Sequence, residues 1–163
     1  MASMSGFSFK NLPPDQVHTV YPLVREVIPT LDLKTWTRTA KRIANPKRME
    51  QAGIRVVLRS PRQLPCGLFL YRREYDLVHG PILIAEHMVA IDVLDPQSVM
   101  SALVGELEIL AERLGCSAVR TMVLGHASLA ASGLYAAGHR AEGATLWKPI
   151  EDALPKHKAG HPV

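Results

Sequence analysis

Only two cysteines occur in the 163 residues, Cys66 and Cys116. They lie far apart in apolar stretches and form no CxxC pair. A disulfide framework is therefore excluded, and two reduced thiols are expected. The seven histidines form no HxxH or HExxH spacing, so no metal site is expected. No apolar run approaches the roughly 20 residues that a membrane span needs. The N-terminal MASMSGFSFK has neither the apolar core nor the cleavage pattern of a secretory signal. A cytoplasmic location is the resulting expectation. Internal repeats, low-complexity stretches and linkers are also lacking. The chain reads as one domain over residues 1–150, followed by a polar, Pro- and Gly-containing tail over 151–163.

Charge is present but uneven. The net charge is +4, yet the stretch from Lys34 to Arg62 holds nine bases against one acid, Glu50. Such a segment can attract phosphates, an anionic cofactor or an acidic protein; its plainer reading is a solvated helix face. Aromatic residues do not interleave with the bases, which ranks nucleic-acid binding last.

Phe7 to Leu12 fits a short strand. Val17, Val20, Val24 and Val27 then recur at helical spacing, with Pro22 expected to delay or kink the helix and Pro29 to end it. Asp32 caps a second helix, Leu33 to Ile43. Its apolar residues are Leu33, Trp36, Ala40 and Ile43, with Lys34, Arg38, Lys41 and Arg42 opposite. Three strands follow, Ile54–Arg59, Cys66–Leu77 and Ile82–Leu94, joined by connections too short for a crossover and hence antiparallel.

The chain is organised around the next stretch. Asp95-Pro96 opens a helix whose stripe is Val99, Leu103, Leu107, Leu110 and Leu114, and Gly115 closes it. Val119–Leu124 is a second short strand. Strand, crossover helix and strand make a right-handed parallel βαβ unit. A helix over SLAASGLYAAGH and a final strand or hairpin over His139–Ile150 complete the order. The fold class is α+β: a mixed, mostly antiparallel sheet with helices on both faces and one parallel βαβ unit, in three layers.

This order and three local features resemble the GNAT superfamily of N-acetyltransferases. The features are the rhythm of ALVGELEILAERLGC and the strand after it, the segment Leu134-Tyr135-Ala136-Ala137-Gly138 with His139 in the place of an aromatic, and the two helices between the first and second strands. The resemblance implies a V-shaped opening between the long strand and the strand after the long helix. Acetyl-CoA or another acyl-CoA would lie there, pairing with strand backbone, and an amine on a small molecule or protein would enter from the other side. It further implies Tyr135 as the acid for the departing thiolate, with Glu86, His87 or Asp92 serving the amine proton. Alternation places Glu86 and Asp92 on one face and His87 on the other, unless a bulge intervenes. By the same resemblance, Val93, Leu94, Gln97, Ser98, Val99, Met100 and Ser128 fall at the coenzyme, although Ser128 also suits a helix cap.

One motif departs from the family. Its glycine-rich, Arg/Gln-rich pyrophosphate turn is replaced by Asp95-Pro96-Gln97-Ser98-Val99-Met100, without glycine or base. Proline offers no N–H, Asp95 repels phosphate, and Met100 adds bulk. Phosphate neutralisation would fall to Arg55, Arg59 or the second helix. Two functions are compatible with these residues. One is an acyltransferase acting on an amine. The other is a binding or scaffolding protein that has lost CoA and docks an acidic partner through Lys34–Arg48. A homodimer through an exposed strand, either Cys66–Leu77 or the terminal one, fits both.

Overall fold

Runs of β-branched and aliphatic residues build a single five-stranded sheet in a computed structural model that describes residues 6–123 and 128–150. Strands β1 (Phe7–Asn11), β2 (Ala52–Arg59), β3 (Leu64–Asp76) and β4 (Gly80–Ala90) follow one another as an antiparallel meander. β5 (Ala118–Thr121) lies parallel to β4, with Ile82–Ala85 opposite Ala118–Thr121. Sheet order equals sequence order.

Period-two alternation splits the sheet's side chains between two cores. On one face, α1 (Tyr21–Val27) and α2 (Leu33–Ile43) close over Ile54, Val56, Leu68 and Val89, with Trp36 and Val20 between them. On the other, α3 (Pro96–Arg113) and α4 (Ser128–Ala136) cover Val57, Phe69, Leu83 and Ala85. Burial of these apolar surfaces, at about 25 cal/mol per Å², holds both layers on the sheet.

Helix ends follow their sequence signals. The Asp32 carboxylate accepts from the Thr35 amide and hydroxyl, each at 2.8 Å, as an N-cap does. Gly115 closes the turn after α3 at φ +69°, a conformation that costs glycine little. Pro22 delays the regular helix, since Pro14–Val20 is a 3₁₀ segment and α1 starts at Tyr21. The connection between Asp76 and Gly80 is a tight hairpin, its Asp76 carboxylate accepting from the amides of Val78 and His79.

Four expectations need correction. Residues 139–150 form no strand, and Leu146, Trp147 and Ile150 stand largely exposed. Ala141 and Ala144 supply too little apolar surface to hold that stretch down. β4 stops at Ala90 rather than Leu94, because the Asp92 carboxylate draws the chain into a turn. β3 lies in the middle of the sheet, so it cannot pair across a two-fold axis, and the terminal strand is not formed. β5 ends at Thr121; Leu124 and the 151–163 tail lie outside the described residues.

Candidate active site

The β4–β5 pairing is short, and the place where it ends sets the geometry of the site. The Met122 amide donates to the Ala85 carbonyl at 3.0 Å. Among the described residues, nothing from β5 pairs with β4 beyond that point. Among the described residues, the β5-side edge of residues 86–90 has no strand partner. Directly there, His87 and Met88 together oppose Phe69, since Leu68 pairs with Val89 and Leu70 with Glu86. This is a β-bulge. Its first residue, His87, carries φ +54°, which is uncommon for a side chain with a Cβ and is found where surrounding structure enforces it.

The bulge changes which residues share a face. Glu86 stays beside its partner Leu70, Met88 turns to the α3 side, and His87 turns to the α1–α2 side. Glu86 and His87 thus lie on one face, where simple alternation would separate them. Glu86 is committed to Arg72, whose Nη1 donates to its carboxylate at 2.6 Å; the same guanidinium holds Glu74 at 2.5 Å. His87 borders a cavity of about 190 Å³ between α1, α2 and the sheet. Its Nδ1 is buried and, among the described residues, has no hydrogen-bond partner; burial keeps a ligand from that nitrogen and leaves Nε2 as the one a ligand can reach.

That cavity was not legible in the sequence. Its walls are eight apolar residues, Val24, Ile28, Trp36 and Leu68 among them, with Thr39 and His87 the two polar ones. The apolar residues read as ordinary core because helical and strand periodicity cannot tell a filled interior from a hollow one. Trp36 spends its indole N–H on the Val17 carbonyl at 2.7 Å, so it offers the cavity only ring surface.

The turn before α3 is occupied by its own carboxylates. The Leu94 and Asp95 amides both donate to Asp92 Oδ1 at 2.8 Å. The Ser98 amide donates to Asp95 Oδ1 at 3.1 Å, and the Ser98 hydroxyl donates to Asp95 Oδ2. Arg59 Nη2 lies 2.7 Å from Asp92 Oδ2. The Asp95 and Leu94 amides, with Arg59 adding, hold the Asp92 carboxyl below its usual value; Ser98 does the same for Asp95. Both are anions at neutral pH, and Pro96 has no amide to give. A helix start of this kind ordinarily receives phosphate. Here the Leu94, Asp95 and Ser98 amides are taken and the local charge is negative, so the residues present do not fit a coenzyme diphosphate. An unpaired strand edge is the kind of partner that an extended, amide-bearing arm such as pantetheine takes.

The remaining sequence candidates scatter. Val93 and Leu94 are 97% and 93% exposed and touch little. Gln97 is exposed. Val99 and Met100 are buried. Met100 packs under α4, where its Cγ would stand 2.8 Å from a Cβ at Gly133. Arg55 is not available to phosphate, because Glu106 takes its Nε and Nη2 at 2.7 and 2.6 Å in the α3-side core. Tyr135, on α4, is 61% exposed, and its neighbour Leu134 anchors the helix. Ser128 begins α4, but its side chain lies outside the described residues.

The basic segment divides in two. Lys34, Arg38, Lys41, Arg42, Lys47 and Arg48 are exposed on α2 and the turn after it. Arg55 and Arg59 lie on the opposite sheet face, each paired with a carboxylate. Cys66 is buried, its thiol pKa pushed up by burial, and Cys116 is half-buried; the two form no disulfide. Among the described residues, no helix is long and apolar enough to cross a membrane. No three His, Cys, Asp or Glu residues there could together hold a metal ion.

No family model matches the sequence, and no curated protein sequence does either. Solved structures do match over almost the whole chain. An aminoglycoside N-acetyltransferase, AAC(6')-Iy, solved in complex with CoA, superposes with a TM-score of 0.72 at 10% identity, covering 92% of this chain and 99% of that one. Ribosomal-protein-alanine N-acetyltransferase from Brucella melitensis biovar Abortus 2308 gives 0.71 at 12% identity, covering 88% and 99%. Glucosamine-6-phosphate N-acetyltransferase from Arabidopsis thaliana gives 0.68 at 12% identity, covering 88% and 98%. The fold is that of the GNAT N-acetyltransferases.

Proposed function

We propose that this chain transfers an acyl group from an acyl thioester, acetyl-CoA or another acyl-CoA, to an amine on the α1–α2 side of β4. One observation carries the reading: the His87 bulge begins where β5 stops pairing with β4. An open strand edge and an imidazole beside a cavity then meet at one point. The fold shared with N-acetyltransferases supports the same reaction class.

The donor supplies an activated carbonyl with a thiolate leaving group. The backbone of residues 86–90, unpaired on its β5 side among the described residues, orients its arm as an added strand would. His87 Nε2 accepts the proton that the amine nitrogen gives up as the C–N bond forms. Tyr135 donates a proton to sulfur as the C–S bond breaks, leaving an amide and a free thiol. Glu86 and Asp92, each held by an arginine, act on the shape of the site rather than on the amine. The diphosphate has no cradle in this reading, so the arm carries the grip.

Comparing acetyl-CoA with S-acetylpantetheine as donors, by thiol release over a panel of amines, tests this. The two donors should give kcat/KM values within roughly threefold. Release from neither, across the panel, removes the reading. Tyr135→Phe should lower kcat about a hundredfold with KM little changed; an unchanged kcat removes the acid assignment.

The captured amides favour a second reading, a binding module without turnover. The exposed bases of α2 then dock an acidic polypeptide. Reversing charge at Lys41 and Arg42 should abolish retention on immobilised polyglutamate, and unchanged retention excludes that face.

A further inference from the structure

The cavity beside His87 has a chemistry that limits what can enter it. Eight of its ten lining residues are apolar, and no carboxylate is among them. A polycationic or polyhydroxylated amine would leave its water with nothing to replace it, at a cost that rises with each charge or hydroxyl. A single amine is a different matter, because His87 Nε2 can meet one nitrogen while the rest of the molecule lies against Val24, Trp36 and Leu68. Size narrows the class further. A cavity of about 150 Å³ holds benzene, so 190 Å³ suits one ring, or a branched chain of similar bulk, with a short arm.

We infer that the acceptor site takes a small apolar primary amine: one hydrophobic body about the size of a phenyl ring, and one nitrogen reaching His87. This deepens the acyltransferase reading and rests on it for the word acceptor; binding alone does not depend on it. Thr39 stands exposed at the mouth on α2, where a larger side chain would fill the entrance without entering the core.

The protein carries its own reporter. Trp36 lines the cavity, and the other tryptophan, Trp147, is 83% exposed in residues 139–150. In a Trp147→Phe background, 2-phenylethylamine without any donor should produce a saturable change in Trp36 emission, and glucosamine should produce none. Thr39→Phe should weaken the response about tenfold while leaving the unfolding midpoint unchanged. No response to 2-phenylethylamine, an equal response to glucosamine, or an unaffected Thr39→Phe variant each overturns the inference. Should 2-phenylethylamine bind, yet no amine in the thiol-release panel be acylated, the acyltransferase reading fails and the ligand class stands.

Discussion

Arg59 and Asp92 meet at 2.7 Å across the turn that opens α3. The contact fixes an anion where the fold would otherwise receive one from a ligand. Asp92→Asn keeps an oxygen for the Leu94 and Asp95 amides but removes the charge and frees Arg59. Coenzyme A should then bind roughly fivefold more tightly. S-Acetylpantetheine, which has no diphosphate, should bind as before. Titration calorimetry on both ligands checks this, and equal affinity of the two proteins for coenzyme A would count against charge as the cause.

Glu106 is a charged residue buried in the α3-side core, held by Arg55. Arg55 Nη1 also donates to Asn11, Asn11 to the Tyr71 hydroxyl, and Tyr71 to the Met49 carbonyl. Removing one partner strands a guanidinium out of water. Glu106→Ala should cost about 3–5 kcal/mol in urea unfolding. Replacing Arg55 and Glu106 together by leucine should recover most of that loss.

Asp76 ties the β3–β4 hairpin to β5 through Arg120, whose Nη2 donates at 2.8 Å. Arg120, then the His79 and Val78 amides, lower its carboxyl to about 2 from the 3.8 of a free aspartate. A depressed folded value means that this stabilisation is complete above the unfolded value and fades as pH falls through the folded one. Thermal midpoints should therefore fall between pH 4 and 2, and Asp76→Asn should flatten that part of the curve. Identical slopes in both proteins would refute the link.

Gly133 lets α4 sit directly on Met100, with no room for a Cβ 2.8 Å from its Cγ. Helix propensity alone favours alanine there. Overpacking should win, so Gly133→Ala should destabilise by about 1–3 kcal/mol. A stability gain would mean that α4 rides more loosely on α3.

Much of this architecture could be read from residue order. The α3 stripe, the Asp32 and Asp95 caps and the hairpin at Asp76 are local signals, and local signals survive folding. Tertiary outcomes were harder to read. The final strand had apolar residues in its stretch but too little to bury. The turn before α3 plainly lacked glycine, yet only three dimensions reveal that Asp92 and Asp95 bind the amides themselves. His87 was a candidate by type; its side of the sheet depends on a bulge that periodicity does not encode. Trp36 and Val24 looked like core, and the hollow between them left no mark on the sequence.

β3 has a strand on each side over its central stretch, Gly67 to Arg72, and an apolar layer above and below. Its central backbone amides should consequently be among the last of the described residues to trade protons for deuterons, and any cooperative opening slow enough to expose them must peel away β2 or β4.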